Sequence, residues 1–180
     1  MRVITGKARG IVLKTPDGMA TRPTADRVKE ALFSIIQFDI PAAKVLDLFG
    51  GTGQLGIEAL SRDASSAVFV DEREDACKLI RENLKRTKLE NHAKVIRSDY
   101  MAYLKTCKDK FDIILLDPPY AEVYLENSLK MITEIDILQS GGIIVAEYPA
   151  GKAMELDFLQ DFQLKEYKYG NTKLMICRKV

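Results

Sequence analysis

Short apolar runs alternate with amphipathic stretches along most of this chain, and that alternation limits the folds open to it. Three amphipathic stretches, at residues 55–62, 74–86 and 124–138, have the apolar spacing of helices. Mostly apolar runs are typical of parallel strands buried on both faces, and five of them cover residues 44–49, 67–72, 94–99, 111–117 and 142–148. The pattern predicts an open α/β sheet with right-handed crossovers and helices on both faces.

The two ends of the chain depart from this rhythm. Residues 162–179 alternate in polarity on either side of Gly170-Asn171, which predicts that the last two strands form an antiparallel hairpin. Residues 2–15 resemble a second hairpin, and residues 21–36 carry a helical apolar stripe with Thr24 as a candidate N-cap. A length of 180 residues predicts one domain, in which residues 1–40 extend a core of residues 41–180.

Composition excludes several classes of protein. An apolar content of 47% with 29% charged residues is typical of a globular chain. No apolar run approaches the ~20 residues of a membrane span, and the first residues lack the apolar region of a signal peptide, so we expect a cytoplasmic protein without a membrane partner. Cys77, Cys107 and Cys177 lack metal-ligand spacing, and the single histidine, His92, is expected in a surface loop. We therefore expect no metal site, disulfide framework or Ser-His-Asp chemistry.

A glycine-rich stretch follows the first predicted strand and enters a predicted helix. Gly51, Gly53 and Gly56 form a G-x-G-x-x-G pattern, and Asp71 lies 20 residues after Gly51 at the end of the second strand. In this setting the glycines permit a tight turn and close ligand approach, and the acid is suited to ribose hydroxyls. The pattern predicts a Rossmann-type nucleotide site.

Asp47, on the first strand, selects between two ligand classes. A carboxylate four residues before the glycine turn would oppose the pyrophosphate of a dinucleotide, whereas it suits the amine of S-adenosylmethionine, which carries no phosphate. Asp99 follows the third strand and has two compatible predicted roles, bonding the adenine amine and capping the next helix. Phe49 and Glu72 complete the predicted cofactor-binding set with Asp47, Gly51, Gly53, Asp71 and Asp99.

The tetrapeptide Asp117-Pro118-Pro119-Tyr120 closes the fourth strand on the ligand-binding edge of such a sheet. Prolines stiffen the turn and leave carbonyls as acceptors. The Asp117 carboxylate and the Pro118 carbonyl are then suited to grip the two hydrogens of an exocyclic amine, with Tyr120 stacking on the base. These three residues are the predicted catalytic set. The sequence leaves open whether Asp117 accepts the proton or only orients the amine.

Taken together, these motifs resemble a known family. VLDLFGGTGQLGIEAL, VFVDE, RSDY and DPPY are similar to the Rossmann-like S-adenosylmethionine-dependent amino-methyltransferases. MRVITGKARG and TRPTADRVKEALF narrow the resemblance to the bacterial enzymes that methylate a guanine N2 of 16S ribosomal RNA. The chain departs from the family where Gly50 stands for a common alanine, and where Asp63 stands for a usual glycine.

The resemblance implies a seven-stranded sheet with its last strand antiparallel, and 16S rRNA within the assembled small ribosomal subunit as the partner. Separately, we expect the protein to be a monomer. Two alternatives stay open. DPPY also occurs in adenine-N6 methyltransferases that act on DNA or RNA, and a methyltransferase-like fold can serve as a non-catalytic RNA-binding module.

The distribution of charge indicates where RNA would bind. A formal net charge of +1 argues by itself against a polyanion partner. However, residues 1–31 hold seven basic and three acidic residues, a net +4, which leaves −3 for residues 32–180. A basic cluster of this kind is typical of a phosphate-binding surface. The predicted RNA-binding residues are Arg2, Lys7, Arg9, Arg22 and Arg27.

Overall fold

Seven strands form one sheet in the computed structural model, which describes residues 1–18, 23–119 and 123–180, without the side chains of Pro23 and Thr24. The strand order is β3-β2-β1-β4-β5-β7-β6. The strands are β1 (Lys44–Asp47), β2 (Ser66–Asp71), β3 (Ala93–Arg97), β4 (Phe111–Leu116), β5 (Leu138–Pro149), β6 (Phe162–Tyr169) and β7 (Thr172–Lys179). The helices are α1 (Pro23–Ile35), α2 (Gln54–Ser61), α3 (Glu74–Thr87), α4 (Tyr100–Thr106) and α5 (Val123–Ile135).

Strand directions follow the sequence pattern. Strands β1 to β5 pair in parallel, and β7 inserts antiparallel between β5 and β6. The predicted α/β sheet of seven strands and its terminal hairpin at Gly170-Asn171 are confirmed. The predicted helix at residues 124–138 was too long: Asp136 adopts a left-handed conformation with φ of 54°, which ends α5, and Leu138 already belongs to β5.

Each sheet face buries its own core, because alternate residues of a strand point to opposite faces. In β4, Ile113 and Leu115 pack into a core that α1, α2 and α3 cover. Their neighbours Ile114 and Leu116 pack into a second core beneath α4 and α5. This arrangement confirms the predicted helices on both faces, and it leaves the carboxyl ends of the parallel strands as one edge.

The N-terminal segment, residues 1–14, lies across α2 and α3 as a short hairpin whose strands meet at the antiparallel bridge between Arg2 and Val12. Two buried polar side chains fasten its backbone. Ser61 of α2 accepts from the Ala8 amide at 2.9 Å, and Asn83 of α3 accepts from the Lys14 amide at 2.7 Å. The predicted hairpin is therefore present, and long-range hydrogen bonds to the two helices hold it against the core.

Glu58 links α1, α2 and the N-terminal segment. Its carboxylate is completely buried and accepts from the Ile4 and Thr5 amides at 2.9 and 3.0 Å. It also pairs with Lys29 at 3.2 Å and with Arg62 at 2.9 Å. Removing one partner of such a buried cluster costs several kcal/mol, because the remaining charges lose their compensation.

The structure explains how Asp63 can stand where the family usually has glycine. It adopts a φ of 72°, a left-handed conformation in which glycine is favoured and aspartate is tolerated. Its carboxylate pairs with Lys7 of the N-terminal segment at 2.8 Å. The position therefore keeps the turn that glycine would make and adds a contact to the neighbouring segment.

The described part of the chain contains no helix that is long and apolar enough to cross a membrane. Cys77 and Cys177 are buried free thiols, and Cys107 is a half-buried one. Among the same residues, no group of three or more His, Cys, Asp or Glu side chains is arranged to hold a metal ion. His92 lies exposed in a short 3₁₀ turn after α3, as predicted.

We predict that Gly56→Ala destabilises the protein. A Cβ at Gly56 would lie 2.3 Å from the buried ring of Phe69, which the surrounding core holds in place. The overpacking should lower the free energy of unfolding in urea by about 1–3 kcal/mol. Gly151→Ala is the matched control, since its Cβ would meet no atom within 4 Å. Equal stability of the two variants would contradict this packing argument.

Candidate active site

Carboxylates stand at the carboxyl ends of four adjacent strands. Asp71 ends β2, Asp47 ends β1, Asp117 follows β4, and Glu147 lies near the end of β5. Each follows, two residues along its strand, a residue of the core that α1, α2 and α3 cover, so all four belong to the same face of the sheet. The fold thus concentrates negative charge along one stretch of the ligand-binding edge.

Strand register sets two depths for these groups. Asp47 pairs with Phe69 and with Leu115, so Asp71 and Asp117 lie two residues, or about 6.6 Å, farther along their strands. Glu147 lies level with Asp117, because the preceding residues of the two strands pair with each other. Three carboxylates therefore lie at the outer edge, and Asp47 lies one pleat beneath them.

The glycine loop satisfies two of these carboxylates. The Gly51 amide donates to Asp71 Oδ2 at 2.9 Å, and the Gly56 amide donates to Asp47 Oδ2 at 3.1 Å. Gly51 and Gly53 have φ values of 57° and 82°, which favour glycine at both positions. Because these amides donate to protein carboxylates, the loop presents fewer donors to a pyrophosphate than a phosphate-binding loop does.

Asp47 keeps one unsatisfied atom. Its side chain is 1% exposed, and Oδ1 has no hydrogen-bond partner among the described residues. Burial raises the pKa of Asp47 to about 8, and the negative charges of Asp117 and Asp71 add to the increase. A cationic ligand group above it would favour the ionised form.

The glycine-loop cavity has a volume of about 630 Å³ and lies above the carboxyl ends of β1 and β2. Asp71, Glu72, Asp117 and Glu147 supply four carboxylates to its wall, against two basic residues. Its other principal lining residues are Gly51, Gln54, Leu55, Lys29, Arg73, Leu48, Ser98, Pro118 and Pro119, together with three aromatic residues.

The three aromatic residues are Phe49, Tyr100 and Tyr124, which form one cluster in this wall. Ring centroids lie 5.3 Å apart for Phe49 and Tyr100, and 5.3 Å apart for Tyr100 and Tyr124 in an edge-on arrangement. A cavity lined by both aromatic rings and carboxylates suits a ligand that combines a planar base with cationic groups. The residues thus fit S-adenosylmethionine, which combines adenine, ribose hydroxyls, a sulfonium and an amine.

The β5 cavity is the second cavity at this edge, with a volume of about 610 Å³. Its lining residues include Leu125, Glu126, Tyr148, Pro149, Gly151, Lys152 and Ala153. Asp117, Pro118, Pro119 and Glu147 line both cavities and so form their common wall. The two cavities therefore adjoin each other at the Asp117-Pro118-Pro119 turn.

Only some of the predicted cofactor-binding residues line the glycine-loop cavity. Phe49, Gly51, Asp71 and Glu72 line the glycine-loop cavity, whereas Gly53 shapes the loop. Asp47 and Asp99 do not line that cavity. Asp99 is exposed and caps α4 by accepting from the Ala102 amide at 3.0 Å, which is the capping role that the sequence allowed.

Two predicted site residues, Tyr120 and Arg22, lie outside the described residues. The remaining predicted RNA-binding side chains, Arg2, Lys7, Arg9 and Arg27, are exposed, and Lys7 pairs with Asp63.

Lys29 and Lys14 contribute to the +4 charge of the first 31 residues, but each is paired with a carboxylate. Lys29 is 3% exposed and pairs with Glu58, and Lys14 pairs with Glu82 at 2.8 Å. The basic surface is therefore smaller than the charge count indicates.

Sequence reasoning missed Glu147 and Tyr124. Glu147 interrupts an apolar strand, and a charged residue in such a run is a signal that a site is near. Tyr124 lies in the first turn of α5 and carries no comparable signal, because its contact with Tyr100 joins two elements that are far apart in the chain.

Comparisons with known proteins identify relatives of this chain. A family model described as conserved hypothetical protein 95 matches residues 1–178. The chain is 38% identical to the "Putative rRNA methyltransferase YlbH" of Bacillus subtilis, over 99% of both chains. It is 35% identical to the "Ribosomal RNA small subunit methyltransferase D" of Escherichia coli K12, over 82% of this chain and 74% of that one.

A solved structure has the same fold. The "Putative methyltransferase yhhF" of Escherichia coli superimposes with a TM-score of 0.90 at 30% identity, over 99% of this chain and 97% of that one. The likeness extends through the N-terminal segment and the terminal hairpin.

We predict that the stability of the ligand-free protein falls as pH rises from about 4 to about 8. Over that range Asp47 is ionised in the unfolded chain but protonated in the folded one, so raising the pH favours unfolding. Urea unfolding at several pH values measures the slope. Asp47→Asn should make the slope shallower without abolishing it, because burial also raises the pKa of Asp117 and Glu147. Asp75→Asn, which changes an exposed carboxylate on α3, should leave the slope unchanged. Parallel curves for the wild type and Asp47→Asn would contradict the prediction.

Proposed function

The chain belongs to the family described as conserved hypothetical protein 95, and on this premise we propose that it methylates ribosomal RNA of the small subunit with S-adenosylmethionine. The names of its relatives support the reaction and the class of RNA. The observation that carries the proposal is the common wall of the two cavities, formed by Asp117, Pro118, Pro119 and Glu147. A donor bound in one cavity and an acceptor bound in the other would lie next to the same four residues.

The glycine-loop cavity is the proposed cofactor site. Asp47 lies beneath this cavity, and its Oδ1 has no hydrogen-bond partner among the described residues. The negative charge of its carboxylate would stabilise the cationic end of the cofactor electrostatically. Asp71 and Glu72 are the proposed acceptors for the ribose hydroxyls. Phe49 and Tyr100 are the proposed contacts of the adenine ring, and Asp99 would bond its amine from the start of α4.

The β5 cavity is the proposed site of the target base, turned out of its stack. Asp117 and the Pro118 carbonyl hold the exocyclic amine, and Tyr120 stacks on the base. The bound cofactor supplies an electrophilic methyl group: the nitrogen lone pair forms the new N–C bond, the C–S electrons stay on sulfur, and the amine releases one proton. Asp117 either accepts that proton or orients the amine while water accepts it.

The acceptor that we propose is N2 of a guanine in 16S rRNA, within the assembled small subunit, and we propose that the enzyme acts as a monomer. In this proposal the chain is a single domain in which residues 1–40 contact RNA and residues 41–180 bind the cofactor and catalyse transfer. The exposed Arg2, Lys7, Arg9 and Arg27, with Arg22, are the proposed phosphate contacts.

Transfer of a labelled methyl group tests this function. The protein is incubated with tritiated S-adenosylmethionine and small ribosomal subunits from bacteria that lack the corresponding methyltransferase, and the RNA is digested to nucleosides. N2-methylguanine is expected. N6-methyladenine would favour an adenine methyltransferase instead, and the absence of label from subunits and from free RNA would favour a non-catalytic RNA-binding module.

We predict that Asp117→Asn lowers the rate of methyl transfer by about 10²–10³-fold, because the neutral amide is a weaker acceptor for the amine hydrogen and cannot take up a proton. Cofactor affinity, measured by calorimetry with S-adenosylhomocysteine, should change only a few-fold. An equal loss of cofactor affinity and rate would remove Asp117 from the proposed catalytic role.

We predict that Arg9→Ala and Arg27→Ala weaken binding to small subunits and each reduce the slope of log affinity against log salt by about 1, because each removes one phosphate contact. Lys165→Ala is the control, since Lys165 is exposed on the edge strand β6 and is not one of the proposed phosphate contacts. Unchanged slopes for both arginine variants would place the RNA contact elsewhere.

A further inference from the structure

Glu147 is a carboxylate whose role the sequence motifs do not account for. It lies beside Asp117 in register, is half-buried, and lines both the glycine-loop cavity and the β5 cavity. No hydrogen bond within the described residues uses its side chain. Neighbouring strands lie about 4.8 Å apart, so the two carboxylates present their oxygens to the same space.

This arrangement is costly without a ligand. Burial raises the pKa of both carboxyls above their usual range, and the negative charge of Asp117 raises that of Glu147 further. Two adjacent carboxylates are stabilised together by a ligand that offers two adjacent hydrogen-bond donors. The common wall is therefore matched to an edge of that kind.

The edges of the nucleobases differ in this respect. Guanine presents its N1–H next to its N2 amine, so two neighbouring donors face the same direction. Adenine presents the N1 acceptor next to its N6 amine, and cytosine presents the N3 acceptor next to its N4 amine. An ionised carboxylate facing the ring nitrogen accepts from guanine and is repelled by the acceptors of the other two, and the guanine donors in turn favour that ionised form.

We propose that Glu147 determines the choice of base: its carboxylate accepts the N1–H of the target guanine while Asp117 accepts from the neighbouring N2 amine. This inference rests on the proposed function and deepens it, because DPPY alone does not separate guanine N2 from adenine N6. Asp117 and Glu147 together accept hydrogen bonds from the two neighbouring donors of guanine. A base that lacks N1–H leaves the Glu147 carboxylate unpaired beside an acceptor.

Replacing the acceptor base tests this assignment. Small subunits are reconstituted with rRNA in which the methylated guanine, identified by the transfer experiment, is replaced by 2-aminopurine. That base keeps the N2 amine but has an acceptor at N1 and lacks O6. For the wild type, kcat/KM should fall at least 10-fold more on this replacement than it does for Glu147→Gln, whose amide can donate to N1.

The comparison between enzymes isolates Glu147, because the loss of O6 affects both equally. On the natural guanine, Glu147→Gln should lose about 10- to 100-fold in kcat/KM with little change in affinity for S-adenosylhomocysteine. Glu155→Gln, at an exposed position, is the control and should behave as the wild type.

Three results would overturn the inference. An equal penalty for 2-aminopurine in the wild type and Glu147→Gln would do so while leaving the proposed function intact. A loss confined to cofactor affinity would assign Glu147 to the cofactor amine. Labelled N6-methyladenine, or no label from the wild type, would overturn the proposed function and this assignment together.

Discussion

The crowding of four carboxylates at one edge of the sheet is the main physical constraint on this structure. Asp47, Asp71, Asp117 and Glu147 lie at the carboxyl ends of four adjacent strands on the same face. Burial raises the pKa of Asp47, Asp117 and Glu147, and neighbouring negative charges raise those of Asp47 and Glu147 further. The glycine loop relieves part of this cost, because two of its amides donate to Asp47 and Asp71. The rest is left for ligands that bring positive charge and hydrogen-bond donors.

The different positions of these carboxylates explain how one edge of the sheet can bind two different molecules. The deeper Asp47 acts on the glycine-loop cavity through its charge, whereas Asp117 and Glu147 stand between the cavities with oxygens available to donors. A cationic methyl donor and an amine acceptor both stabilise carboxylates. The same acidic edge therefore favours both partners of the proposed reaction.

Much of the fold could be predicted from the sequence. The strands, the terminal hairpin and the helical faces follow from local periodicity, and they lie within a few residues of their predicted positions. The site was predicted less completely. The first strand's Asp47 was expected at the cofactor but lies beneath its cavity, and Lys29 was counted in the basic cluster although it is buried against Glu58. Both differences arise from burial, which depends on elements distant in the chain.

The sequence by itself determined the order of elements, the glycine turn and the stiff turn at Asp117, because dihedral preferences and motif spacing are local properties. Only the tertiary structure decided which carboxylates share a wall. Glu147 stands beside Asp117 because β5 pairs with β4 in one register, and the N-terminal segment meets α2 because Glu58 and Ser61 accept its amides. Register and burial join residues far apart in the chain, so these contacts exist only once the sheet has formed.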